Sequence, residues 1–231
     1  MPAIDFNVRV PDRDSLDSFA DMASTLGFSG IVVPTKGEPP RGFEINNVTI
    51  YTRLDIKSTK LGVLKRELGK SRKKYSIIAV PLSEIDIANW AAKEARVDVL
   101  TFQPTKTHHN LRGSTARLAA KAGTSFEVSI APLLNVTGLT RSKLIKEYRE
   151  SITTACNAGM KVILSSGAST PIQMRSPWAL NHIGTLFGLN TQYTEDSISN
   201  HTHTLLLENV QKLGDNHIAA GIELVSRGGD E

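Results

Sequence analysis

Asp5 and Asn7 stand two residues apart in the run Ala3–Val8, on one face of an extended strand. A carboxylate at a barrel strand end is where a hydrolase holds a metal ion, provided histidines join it. No strand-like run here carries His-x-His. His201-x-His203 falls in a helical stretch, where positions two apart project about 200° apart and cannot share an ion. His108 and His109 precede Asn110 in a loop, and His182 and His217 stand singly, as structural residues do. Asn is a poor transition-metal ligand, so Asp5 and Asn7 read as polar lining of a barrel mouth. Ser165-Ser166-Gly167-Ala168-Ser169 follows a strand. Its backbone N–H groups could cradle a phosphate, or its small residues could serve a tight strand-to-helix loop; both readings stand open. Gly-x-Gly-x-x-Gly, Walker and Gly-x-Ser-x-Gly motifs are missing. Cys156, the single cysteine, sits in a helical pattern with no activating neighbour, and reads as a buried thiol rather than a nucleophile.

The elements that would position these residues alternate regularly. Strand-like runs are Ala3–Val8, Gly30–Pro34, Val48–Ile56, Ser76–Val80, Asp98–Phe102, Ser125–Leu133, Lys161–Ser165 and a closing Ile218–Val225. Helical patterns lie between them. Leu16, Phe19, Ala20, Ala23 and Leu26 share one face, with Gly27 as the stop. Thr59–Gly69 and Leu111–Ala122 follow the same logic, and a loop rich in Gly and Pro covers Lys36–Gly42. Ser83, with Asp86 three residues on, opens a helix. Thr140 caps a long helix to about Ala158. Ser176 and Pro177 start another that Gly188 stops, and a last helix covers Ser199–Leu213. Such alternation implies parallel pairing, and seven or eight strands imply a closed or nearly closed α/β barrel rather than an open doubly wound sheet. The whole chain, 1–231, reads as one such domain with a short tail at 226–231.

Charge is unevenly spread. Net charge is +4, yet Lys57 to Lys74 holds eight bases (Lys57, Lys60, Lys65, Arg66, Lys70, Arg72, Lys73, Lys74) against Glu67 alone. From Asn190 onward, seven acids face two bases. Leu61, Leu64 and Leu68 form one helix face, with Arg66, Lys70 and Lys73 opposite if the helix continues that far. In the helix after Thr140, Leu144, Ile145, Tyr148 and Ile152 point inward and Lys143, Lys146 and Arg149 outward. Cationic rows that barely alternate in sign suit phosphate backbones, and rows without interleaved aromatics suit structured RNA. Lys57, Lys60, Arg66, Lys70, Arg72, Lys73, Lys74, Arg112, Lys143, Lys146 and Arg149 are therefore candidate RNA-binding residues. A lone cysteine, no apolar run near the roughly 20 residues of a membrane span, and no secretory pattern point to a cytoplasmic protein.

The stretch Val162–Leu189 resembles the ribonuclease P protein component 3 family, the archaeal counterpart of the eukaryotic thirty-kilodalton subunit. The likeness is carried by Ser165-Ser166 with Ala168, Pro171, Arg175-x-Pro177, Gly184 and Phe187-Gly188-Leu189. Asp5 and Leu54, preceded by Thr52-Arg53, extend it, and it runs to about Leu206. After Pro177 the family often has an aromatic and then an acid; here stand Trp178 and Ala179. The resemblance implies a TIM-barrel-like fold related to metal-dependent phosphoesterases of the PHP type. It implies a subunit of the ribonucleoprotein that removes the 5′ leader from precursor tRNA, with catalysis in the RNA and its magnesium ions. It also implies that the protein holds no cofactor, catalytic residue or metal of its own. The expected partners are ribonuclease P RNA, precursor tRNA and other protein subunits, with no membrane. Arg175 then touches RNA or a partner, or else ties its loop to a carboxylate. Two other readings are a stand-alone metal-dependent phosphoesterase and an adaptor that meets only proteins.

Overall fold

In the computed structural model the described residues are 2–35, 42–102 and 110–213, with the backbone alone of 217–219 and 222–223. His108, His109, the tail at 226–231 and the side chain of His217 lie outside them. The strands are β1 (Ala3–Asp5), β2 (Phe28–Pro34), β3 (Phe43–Ile45), β4 (Val48–Asp55), β5 (Ile77–Pro81), β6 (Val99–Thr101), β7 (Ser125–Ser129) and β8 (Val162–Ser165). The helices between them are α1 (Leu16–Leu26), α2 (Leu61–Ser71), α3 (Ile85–Lys93), α4 (Gly113–Ala122), the short α5 (Ala131–Leu134) and α6 (Gly138–Asn157). After β8 come a 3-10 turn (Pro171–Gln173), α7 (Pro177–Leu186), α8 (Thr191–Ile198) and α9 (Asn200–Leu213).

One sheet runs β1-β2-β4-β5-β6-β7-β8, every neighbouring pair parallel, while β3 pairs antiparallel with β4. This is the expected barrel, with seven parallel staves. Because parallel strands are covered on both faces, they read as continuous apolar runs and bury two shells. The outer shell packs Phe19, Ile50, Leu64, Leu68, Phe126, Leu164 and Phe187 between sheet and helices. The inner one fills the bore with Ile4, Phe6, Val32, Ile77, Val99 and Ile163, and Leu206 of α9 joins it.

The end strands β1 and β8 form no ladder with each other. Beyond their last ladder residues, Gly167 N donates to Asn7 O at 2.9 Å and Arg9 N to Ala168 O at 2.7 Å. Just before these bonds along the seam, Ser166 N donates to Asp5 Oδ1 at 2.9 Å. A side-chain carboxylate thus takes the place of a backbone acceptor in the seam. At the opposite end α9 plugs the barrel. Its Asn209 Nδ2 donates to Asp98 Oδ1 at 2.8 Å, and its His201 Nε2 lies 2.8 Å from Ser125 Oγ.

Several boundaries differ from the sequence expectation. Ser125–Leu133 stays extended only to Ser129; Pro132 then sits in the first turn of α5, where proline is favoured. The long helix begins at Gly138, so Thr140 lies inside its first turn instead of capping it. Ser83 Oγ is buried without a hydrogen-bond partner, and Glu84 occupies the cap of α3. The last helix falls where expected, as α9, but a separate helix, α8, precedes it and starts where Asn190 Oδ1 accepts from Tyr193 N. The closing strand is replaced by a separate antiparallel pair, β9 (His217–Ala219) with β10 (Ile222–Glu223), outside the barrel sheet. Cys156 is exposed rather than buried, because it falls on the outer face of the last turn of α6. The start at Ser176 and Pro177 agrees with expectation, with Ser176 Oγ accepting from Ala179 N.

Gly184 is buried, and a Cβ there would meet the side chain of Thr194 and come within 2.9 Å of Leu164 Cδ1. Gly184→Ala is expected to cost about 1–3 kcal/mol in chemical denaturation, by forcing α7 away from β8 and α8.

Candidate functional site

The C-terminal ends of the strands form the mouth of the barrel, where α/β barrels place their chemistry. Arg53 of β4 is fully buried there, across the bore from Glu127 of β7. Its Nη1 donates to Glu127 Oε1 at 2.9 Å and its Nη2 to Glu127 Oε2 at 2.6 Å, a bidentate pair. Nε donates to Asp55 Oδ1 at 2.6 Å and Nη1 also to Phe6 O at 2.9 Å. Burial alone would lower the Arg53 pKa, but Glu127 and then Asp55 outweigh it and push it up. Burial likewise opposes ionisation of Asp55, and the guanidinium overrides it, holding the pKa below the usual carboxylate range. Asp55 is therefore held as an anion by a cation of the protein itself, and the same guanidinium engages both oxygens of Glu127.

Asp5 and Asn7 do meet at this mouth, as the sequence suggests. Asn7 Nδ2 reaches Ser129 Oγ at 3.3 Å, and Ser129 Oγ lies 2.9 Å from Ser165 Oγ. Asp5 Oδ2 and Asn7 Oδ1 have no hydrogen-bond partner. Burial raises the Asp5 pKa to about 6, despite hydrogen bonds from Ser166. Among the described residues no group of three or more His, Cys, Asp or Glu is placed to hold a metal ion. The Ser165–Ser169 segment spends its first N–H groups on the seam: Ser166 N on Asp5, Gly167 N on Asn7 O, and Ala168 N on Ser166 Oγ at 3.1 Å. That favours the tight-loop reading over a phosphate cradle. Gly167, at φ +64°, lies so close to Ser129 that a Cβ would stand 2.7 Å from the Ser129 Cβ.

The structure separates the basic rows. On α2, Leu64 and Leu68 are fully buried, while Lys65, Arg66 and Lys70 are exposed, with Glu67 beside them; the helix stops at Ser71, so Lys73, also exposed, lies in the turn beyond it rather than on the outer helix face. Lys65 Nζ lies 5.6 Å above the Trp90 ring of α3. Arg72 turns inward to Asp98 Oδ2 and the Arg96 carbonyl and is only partly exposed, so it ties α2 to β6. Lys60 and Lys74 are exposed at either end of the helix. Lys57 lines a groove of about 450 Å³ beside the mouth, with Arg9, Pro34, Leu54 and Asp55. The second row, Lys143, Lys146 and Arg149 on α6, is also exposed. Lys146 pairs with Glu150 at 3.8 Å, and Arg149 Nε donates to Leu186 O at 2.6 Å at the end of α7. Buried Tyr148 fixes α6 from the inner side, its OH donating to Ser129 O at 2.8 Å. In strand order α3 and α4 stand between α2 and α6, so the rows are two ends of one helical wall, and exposed Arg112 begins α4 between them. Arg175 donates from Nη1 to the carbonyls of Ile172, at 2.9 Å, and Met174, at 2.7 Å, and so ties its loop through backbone rather than a carboxylate. Pro171 opens the 3-10 turn of that loop and Pro177 opens α7.

Sequence reading passed over Arg53, Asp55 and Glu127. Their signal was a charge at inward positions of otherwise apolar strands, which a buried strand tolerates only with an opposite charge on another strand. His182 is exposed and packs against Trp178, with ring centroids 4.3 Å apart.

Arg53→Ala is expected to cost about 3–5 kcal/mol in denaturant titration, because Glu127 is left buried and unpaired. A joint Arg53→Met, Glu127→Leu variant should recover much of that loss. Two of the buried titrating groups, Asp5 and His201, should oppose each other between about pH 4 and pH 6.5. Asp5, raised to about 6, binds its proton more tightly folded than unfolded, so its contribution falls as pH rises through that window. His201 is lowered to about 4 by burial and then by Lys161, so it contributes stability above its unfolded value that is lost as pH falls toward 4. Asp5→Asn should therefore steepen the acid loss of stability, and His201→Gln should flatten or invert it, in denaturation midpoints measured across pH 4–7.

Residues 2–212 match the family model described as RNase P subunit p30. "Ribonuclease P protein component 3" of Methanosarcina barkeri is 25% identical over 95% of this chain and 93% of its own length. The protein of the same description from Methanothermobacter thermautotrophicus is 24% identical over 97% and 96%. A chain in a cryo-EM structure of archaeal ribonuclease P with mature tRNA superposes with a TM-score of 0.81, at 18% identity, covering 97% of this chain and all of that one. With a family model spanning nearly its whole length, a matching barrel and relatives aligned end to end, this chain belongs to the RNase P subunit p30 family.

Proposed function

We propose that this chain is a protein subunit of a ribonuclease P, the ribonucleoprotein that removes the 5′ leader from precursor tRNA. The observation that carries the reading is the family match over residues 2–212, joined by relatives described as ribonuclease P protein component 3. Its partners are then the ribonuclease P RNA, precursor tRNA and other protein subunits, as the fold match to a chain of the archaeal complex with tRNA supports. Catalysis belongs to the RNA and its magnesium ions. The chemistry of the mouth supports this division of labour, since Glu127 and Asp55 are both hydrogen-bonded to Arg53. Among the described residues no helix is long and apolar enough to cross a membrane, and we place the complex in the cytoplasm.

We assign RNA contact to the helical wall, with Arg66, Lys70 and Lys73 at one end and Lys143, Lys146 and Arg149 at the other. Lys57, Lys60, Lys74 and Arg112 add charge along it. Arg72 and Arg175 serve chiefly to hold their own segments. Contacts of this kind position a backbone and read no base.

Reconstitution tests the reading. Precursor-tRNA cleavage by the RNA subunit at low magnesium should rise when this chain joins the other protein subunits, and the chain alone should not cleave. Turnover by the pure protein, free of RNA, would reject it. In the triple variant with Ala at positions 66, 70 and 73, RNA association should weaken, and the slope of log affinity against log salt should shrink by about two to three.

A further inference from the structure

The groove of about 450 Å³ beside the mouth lies between the segments that leave β1, β2 and β4 and the side of α2. Its volume falls in the range of small-molecule sites. Its walls carry hydrogen-bond donors that the protein itself leaves idle. Arg9 Nη2 stands 4.0 Å from Asp55 Oδ2, beyond hydrogen-bonding distance, and the Arg9 side chain is 41% exposed. Lys57 is exposed and forms no ion pair among the described residues. Thr35 Oγ1 is buried without a hydrogen-bond partner. Buried hydroxyls are normally paired, so an idle one on a cavity wall marks a place for an incoming polar group.

The three segments are fixed in advance. Arg9 N is tied to Ala168 O in the seam, Thr35 N to Arg53 O at 3.0 Å, and Ile56 N, next to Lys57, to Ala79 O at 2.9 Å. Donors held this way lose little freedom on binding.

The other lining groups narrow the ligand. Asp55 and Glu67 face the same groove. Asp55 Oδ1 accepts from Arg53, which leaves Oδ2 toward Arg9, and Glu67 stands exposed on α2. Val10, Pro34 and Leu54 supply apolar wall. A simple anion would meet the cations but also two carboxylates, and an apolar ligand would leave all the charges unused. A ribonucleotide matches every part: phosphate for cations, ribose hydroxyls for a carboxylate, and a base face for apolar side chains. We propose that this groove holds one unpaired nucleotide of RNA, with its phosphate on Arg9 and Lys57, its ribose on Asp55 and its base against Pro34 and Leu54. A base must leave its helix to reach that wall, so a continuous duplex does not fit. That the RNA is the one in ribonuclease P rests on the assignment above; the groove's chemistry does not.

Two experiments separate these parts. The purified full chain is titrated with AMP and followed by NMR of its backbone amides. AMP should shift Arg9, Thr35 and Lys57, and adenosine should bind at least about tenfold more weakly, having lost the charged contacts. The 2′-deoxy form of AMP, Lys57→Ala and Thr35→Val should each weaken binding about threefold or more, and Arg9→Ala at least about tenfold. The Arg66→Ala, Lys70→Ala variant should bind AMP within about twofold of the parent, because α2's outer face is a separate surface. Adenosine binding as well as AMP, shifts confined to other segments, or an equal loss in the α2 variant would overturn the site and leave the ribonuclease P assignment intact. In the reconstituted particle, with precursor-tRNA cleavage reporting assembly, p-benzoylphenylalanine in place of Val10 should crosslink on irradiation to an unpaired nucleotide. A protein adduct, an adduct to a paired nucleotide, or no adduct in an active particle would overturn RNA as the occupant. A chain that binds AMP but never enters the particle would overturn the assignment, with a free mononucleotide left as the ligand.

Discussion

A guanidinium lies fully buried in the upper bore of this barrel, and the rest of the mouth is arranged to tolerate it. Removing Arg53 from water is costly, and the cost is met by a two-pronged bond to Glu127, a third bond to Asp55 and a fourth to the carbonyl of Phe6. Those partners come from β1, β4 and β7, so one side chain links three staves. A slip of β4 by one residue would turn Arg53 out of the bore and bring an apolar neighbour in. Register and charge balance are thus the same constraint. It also bears on chemistry: a divalent ion entering the mouth would have to compete with a guanidinium already hydrogen-bonded to both carboxylates.

Below this polar cap the bore is apolar and closed by α9. Leu206 enters the inner shell, His201 meets Ser125, and Asn209 shares Asp98 with Arg72. Asp98 is almost fully buried, and burial raises its pKa despite those partners. The barrel therefore carries polar fastenings at both ends and apolar packing in the middle. With its interior spent on holding itself together, the barrel presents its exposed cations, from α2 to α6, on the outside.

Much of this was legible in the residues. Apolar runs bounded by Gly and Pro gave the strands, and the leucine spacing of α2 placed Arg66 and Lys70 outward. Local pattern failed where distant parts of the chain decided the outcome. Strand β7 stops at Ser129 because Pro132 and the carbonyls of Ser165 and Ser166 redirect the next N–H groups. Arg72 belonged by sequence to a basic run, yet Asp98, 26 residues away, turns it inward. Hairpin β3–β4 was missed although its turn was written plainly. Asn46 and Asn47 both take positive φ, at 50° and 63°, which asparagine tolerates and a two-residue hairpin requires. The Arg53–Glu127 pair spans 74 residues, a range over which periodicity says nothing.

The seam between the first and last staves has a consequence for how the molecule comes into being. Asp5 waits for the N–H of Ser166, a partner 161 positions later in the chain. A growing polypeptide leaving the ribosome can build helices and neighbouring strand pairs early, but its N-terminal stave has no second edge partner until roughly the last quarter has emerged. Until then the edge of β1 and one side of the bore stand open to water and to other chains. Closure is a long-range event with a large loop entropy against it, of the kind that slows folding. A barrel that closes this late exposes its apolar bore for most of its own synthesis.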